Sequence, residues 1–124
     1  MSGVVDLSSA FASFTETWSP RIAGRVNDVH IKLARLAGVF EWHRHADEDE
    51  LFFVVEGVLL MHFRERTERV EPGQFLVVPR GVEHLPETES AEALVMLIEP
   101  VSTVNTGEGP DTDRTVRDLA SLSS

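Results

Sequence analysis

The sequence predicts an all-β domain, a barrel or sandwich of short strands. Three observations carry this. Short apolar or alternating runs fill residues 21–99, and Gly, Pro and charged clusters break them at close intervals. No crossover helix fits between the runs, which argues against a parallel α/β sheet. Turn residues stand where such a fold needs them: Gly38, Gly57, the Pro72–Gly73 pair, and Pro79 with Gly81.

In chain order, residues 1–20 read as an accessory segment. Leu7, Phe11, Phe14 and Trp18 recur at spacings of 4, 3 and 4, a helical stripe. Asp6 or Ser8 is placed to cap it, and Pro20 ends it. The stripe is expected to pack on the body of the protein or on a partner subunit. Residues 21–104 form the barrel, with strands expected at 23–26, 29–36, 40–45, 51–55, 59–63, 68–70, 74–78, 84–86 and 93–99. Residues 105–124 read as a tail. Asn105 to Asp113 has loop composition, and Val116, Leu119 and Leu122 suggest a short terminal helix.

A chain of 124 residues is the size of one domain with one substantial core. It has no cysteine, so disulfides, thiolate metal sites and cysteine nucleophiles are excluded, and any metal must take nitrogen and oxygen ligands. The net charge is −10, and the 11 Lys and Arg are scattered without a basic stripe, so neither nucleic acid nor an anionic membrane is expected as a partner. The net acidity itself is read as a solubility feature. No apolar run approaches the ~18–20 residues of a membrane span. The N-terminus lacks the pattern of a signal peptide, so a cytoplasmic location is expected.

Three of the five histidines fall into two clusters. The first runs from Gly38 through His43, His45 and Glu50 to Gly57. The second runs from Gly73 through Pro79 and Gly81 to His84. On a strand, His43 and His45 project from one face, with Cβ atoms ~6.6 Å apart. Imidazoles at that spacing can lean together onto one metal at ~2.0–2.1 Å. Glu50 follows across an acidic turn and offers a hard oxygen. His84 joins only if the sheet brings the two clusters together.

The two clusters resemble the paired motifs of the cupin family. Gly38, His43, His45, Glu50 and Gly57 match the first motif, with a first spacer of four residues where five is usual. Gly73, Pro79, Gly81 and His84 match the second, with Thr88 where an Asn is usual. The likeness spans about residues 30–99. It implies a double-stranded β-helix (jelly-roll) barrel and one divalent metal near one mouth, held by His43, His45, Glu50 and His84. The spacing to Gly57 selects Glu50 over Asp47, Glu48 and Asp49, of which Asp49 is the closest rival. The donor set suits Mn, Fe, Ni, Cu or Zn without choosing among them.

Other residues receive weaker assignments. Glu41 shares parity with His43 and His45 and is a candidate proton acceptor, with a rim carboxylate as the competing reading. His30 and His62 are expected at the surface, and Arg44 is expected to face away from the metal. No converging Arg or Lys is evident near the motifs. The leading functional expectation is a metal-dependent dioxygenase or isomerase acting on a small oxygen-rich molecule. The alternatives are a non-enzymatic ligand sensor and a barrel whose metal is only structural. A C2 homodimer is the expected assembly.

Overall fold

The computed structural model describes residues 3–108, 111–117 and 119–122. One short helix precedes eight strands: α1 (Leu7–Ala12), β1 (Arg21–Val26), β2 (Val29–Leu36), β3 (Glu50–Glu56), β4 (Leu59–His62), β5 (Thr67–Val70), β6 (Phe75–Val78), β7 (Leu85–Thr88) and β8 (Ala93–Pro100). All strand pairs are antiparallel. They form a five-stranded sheet in the order β1-β2-β8-β3-β6 and a three-stranded sheet in the order β5-β4-β7.

Period-two patterning decides which faces meet. Along β8, Ala93, Val95, Leu97 and Glu99 are buried while the residues between them are half-buried. On β3 the inward set is Glu50, Phe52 and Val54. Leu59 and Met61 face in from β4. With Ala34, Leu36, Phe63, Val70 and Val78 these apolar side chains fill the space between the sheets. The alternation that placed Met61 inside turns His62 outward, as expected, where it lies between Thr67 and Glu87.

Only the start of the expected helical stripe is a helix. Asp6 caps α1 by accepting from the Ser9 amide at 2.9 Å. The helix closes where the Ser13 hydroxyl and amide both donate to the Ala10 carbonyl, at 2.6 and 3.2 Å. The β-branched Thr15 and Thr17 follow, and Trp18 adopts φ +57°. Two turns are too short to persist alone. Phe11 and Phe14 hold α1 by packing on Ala23 and Leu33 across the outer face of the five-stranded sheet.

Two further expectations are corrected. Residues 40–45 do not form a ladder strand but make isolated bridges, His43 with His84 and, just before, Val39 with Glu87. The pairing is anchored at these two points, on Glu87 of β7 and on His84 just before it, and the acidic turn 46–49 follows. The tail also forms no helix among its described residues. Its backbone finds partners on the open edge of β1 instead: the Ile22 amide donates to Ala120 and the Leu122 amide donates to Ile22.

Candidate metal centre

The chain around His43 is stapled to the segment before β7. The amides and carbonyls of His43 and His84 exchange two hydrogen bonds, at 3.0 and 2.9 Å. The Gly81 amide donates to His45 at 2.7 Å, and the Arg80 amide donates to the Asp49 carboxylate at 2.8 Å. Asp49 is thus engaged in a turn contact, while Glu50 begins β3 and points inward. These contacts bring the two sequence clusters to one point. One donor atom from each of His43, His45, Glu50 and His84 lies within 4.8 Å of all the others.

The imidazoles are oriented for ligation. The Nδ1 atoms of His43 and His84 stand 2.8 and 2.9 Å from the carbonyls of Glu41 and Val82. A carbonyl only accepts, so each Nδ1 carries a proton and each Nε2 is the atom left to face a metal. Nε2 of His45 and of His84 lie 3.3 and 3.4 Å from Glu50 Oε1. Both Nε2 atoms and Oε1 are buried without a hydrogen-bond partner. Such orphaned groups cost roughly 1–3 kcal/mol each. A divalent cation would satisfy all three, so the residues present fit a metal ion.

Electrostatics support the same state. Burial, then the neighbouring His84, lowers His43 to about 4, so its imidazole is neutral at physiological pH. Burial alone would raise the Glu50 carboxyl, but His45 and His84 beside it outweigh that and hold it well below the usual carboxylate range. Neutral imidazole and ionised carboxylate are the protonation states that bind metals.

A small interior cavity of about 40 Å³ lies against this cluster. His43 and Glu50 line it, together with Trp18, Phe40, Phe52 and Leu97. His43 also lines a separate cleft at the rim with Glu41, Glu83 and Thr112.

Comparison with known proteins agrees with the geometry. The family model for the cupin domain matches residues 30–99. The chain belongs to the cupin family. It is similar to a cupin-2 domain protein of Shewanella frigidimarina, with TM-score 0.76 and 41% identity over 78% of this chain and 94% of that one. A Neisseria meningitidis protein aligns with TM-score 0.71 and 30% identity, covering 79% and 99%. YdbB of Bacillus subtilis (strain 168), an uncharacterized protein, is 42% identical over 60 residues, 48% of this chain. The match spans 53% of that curated relative.

In this cupin, Glu41 takes the rim position of its competing reading, Arg44 keeps its expected place, and His30 departs from expectation. Glu41 does not line the interior cavity. Its carboxylate accepts from the Thr112 hydroxyl at 2.8 Å in the rim cleft, because 40–45 is not a strand and strand parity does not apply. Arg44 is exposed and faces Glu108, as expected. His30 is not a plain surface residue. It shares the parity of Lys32 and Ala34 on β2 and is half-buried, with an unpartnered Nδ1.

Four residues were missed. Trp18 leaves the helical stripe, stacks on Phe40 at 4.8 Å and walls the cavity. Thr88, the departure from the family pattern, accepts from the Gly38 amide at 2.8 Å and donates its own amide back to Gly38, fixing the turn before His43. Lys32 and Glu99 form a buried pair, Nζ to Oε1 3.4 Å, on the cavity wall. The only signal for that pair was two charges at inward parity on otherwise apolar strands.

Proposed function

We propose that His43, His45, Glu50 and His84 hold one divalent metal ion and that this cupin acts there on a small, oxygen-rich molecule, as a dioxygenase or isomerase. The observation that carries the reading is the convergence of three imidazoles and one carboxylate within 4.8 Å. His43, His45, Glu50 and His84 would hold the ion through four donor atoms, and an ion so held could also take an oxygen-bearing ligand. When bound, the ion would polarise a ligand oxygen and lower the pKa of a coordinated water. The chain's own residues do the rest. The Glu41 and Val82 carbonyls fix two imidazole tautomers. Trp18, Phe40, Phe52 and Leu97 supply the apolar part of the cavity wall and limit water there. Glu41, held by Thr112 in the rim cleft that His43 also lines, would accept a proton only from a ligand that reaches the ion through that cleft.

Metal content of protein purified without an affinity tag tests the site. About one ion per chain is expected, and His43→Ala and His84→Ala should abolish it. Equal metal in all three proteins would reject the assignment. Dioxygen uptake and isomerase screens with each reconstituted metal then separate enzyme from sensor.

We propose that the chain pairs through the exposed face of β6. Phe75 and Val77, on the open edge strand β6, are 63% and 45% exposed, beside an outer sheet face that α1 covers only in part. Sedimentation should give twice the 13.8 kDa chain mass, and Phe75→Glu should return it to one chain. A wild-type monomer at micromolar concentration would reject the dimer.

A further inference from the structure

We propose that Lys32 is an anion-binding residue of the interior cavity, and that the ligand class is a small carboxylate that ion-pairs with Lys32 while reaching the His43/His45/Glu50/His84 cluster. The proposal rests on the metal reading and narrows its ligand.

Lys32 and Glu99 are 2% and 3% exposed, on a wall otherwise dominated by Trp18, Phe40, Phe52 and Leu97. Lysine is almost never this buried without a reason. Stability does not supply one, since a buried ion pair is often no better than well-packed apolar residues of the same volume. The pair is also loosely made. Its 3.4 Å separation exceeds the ~2.7–2.9 Å of a good charge-assisted hydrogen bond. Glu99 Oε2 is buried with no partner. An ammonium has three donors, and the contact with Glu99 engages only one.

Placement gives the pair a ligand to serve. β2, β8 and β3 are neighbours in the sheet: Leu97 stands between Lys32 and Phe52, and Glu99 is the next inward residue along β8, on the Glu50 side, so Lys32 lies diagonally across the inner face from Glu50. The backbones of β2 and β3 stand ~10 Å apart at ~4.8 Å per strand. A compact molecule chelated at the Glu50 end therefore meets the Lys32 ammonium at the other. Charge selects its sign: Glu50 offsets only half of a divalent ion and Lys32 adds a further positive charge, so the cavity favours an anion. Size selects its class. A cavity of about 40 Å³, at the roughly 10–15 Å³ each water-sized group needs, admits a ligand of only a few heavy atoms.

The test uses full-length protein loaded with cobalt(II), whose visible absorption reports ligand binding at the ion. Glycolate and glycolamide serve as probes, equal in shape and differing in charge. The Lys32→Met, Glu99→Gln double variant removes the ammonium together with its partner carboxyl group. Expected is the same cobalt content in both proteins, with the preference for glycolate over glycolamide falling at least tenfold in the variant. Unchanged preference with cobalt bound would overturn the role of Lys32 alone. Wild-type protein that takes up no cobalt would overturn the metal reading and this proposal with it. Should the double variant fail to fold, Glu99→Gln alone decides: it frees Lys32 from its competing carboxylate and should tighten glycolate severalfold. No tightening there would overturn the proposal.

Discussion

Replacing His84 by leucine should leave the metal-free protein almost as stable as before and erase its response to metal. His84 is fully buried, its Nδ1 bonds the Val82 carbonyl, and its Nε2 has no hydrogen-bond partner. The substitution loses one hydrogen bond, worth about 1 kcal/mol, and the contact with Glu50 Oε1, whose carboxyl His45 still supports, and it removes a desolvated nitrogen that costs about as much as these. Leucine keeps most of the packing against Phe52. In chelator the net change should stay within about 1 kcal/mol by that balance.

The metal side is larger. An ion present at roughly 100 times its dissociation constant stabilises the folded state by about 2.7 kcal/mol. For 124 residues, an unfolding entropy of about 2.1 cal/mol/K per residue gives about 0.26 kcal/mol per kelvin. The wild-type midpoint should therefore rise by about 10 °C between chelator and saturating metal. The variant should show only the small rise caused by adventitious surface binding. The assay is thermal unfolding followed by circular dichroism near pH 7.5, in chelator and with each of Mn, Fe, Ni, Cu, Zn and Co. Equal metal-induced shifts in wild type and variant would refute the reasoning, because the stabilising ion would then sit elsewhere.

Two further predictions follow from other parts of the fold. Gly57 has φ +83°, and a Cβ there would lie 2.3 Å from the Glu92 carbonyl oxygen and 2.8 Å from Ala93 Cα. Gly57→Ala should cost upward of ~3 kcal/mol, whereas Gly73→Ala, with the same φ but nothing within 4 Å, should cost only the ~1–2 kcal/mol of the left-handed backbone. Urea unfolding of both variants checks the difference, and equal losses would contradict the close-approach argument. The second prediction concerns pH. His43 is lowered from 6.5 to about 4 in the folded, metal-free protein, so between those values the unfolded chain binds more protons and stability rises with pH. His43 thus contributes full stability above pH 6.5, lost as the pH falls toward 4, and worth about 2 kcal/mol after allowance for its partial exposure. Urea titrations in chelator from pH 4.5 to 7.5 should show a shallower slope in His43→Gln, and parallel profiles would remove His43 as the cause.

The patterning of the sequence determined the fold class. β2 and β8 read clearly because alternating burial is written directly into residues 29–36 and 93–99, and β2 was placed at its observed bounds. The expected ligand residues were legible for a related reason: histidines are scarce, and their spacing to glycines and prolines is fixed by turns that tolerate few other residues. Where tertiary contacts compete with local preference, the sequence was insufficient. The stripe through Trp18 satisfies helical spacing, yet the ring has a better partner in Phe40 and leaves the helix. The tail residues Val116, Leu119 and Leu122 suit a helix, but the open edge of β1 offers Ala120 and Leu122 backbone partners that an isolated helical turn lacks. Parity suggested Glu41 for the interior, but between the isolated bridges Val39–Glu87 and His43–His84 it lies at the rim. The meeting of His43 with His84, and of Lys32 with Glu99 beside Glu50, depends on pairings between strands distant in the chain. Such neighbours are set by sheet register, a property of the assembled sheets that no local stretch of residues encodes alone.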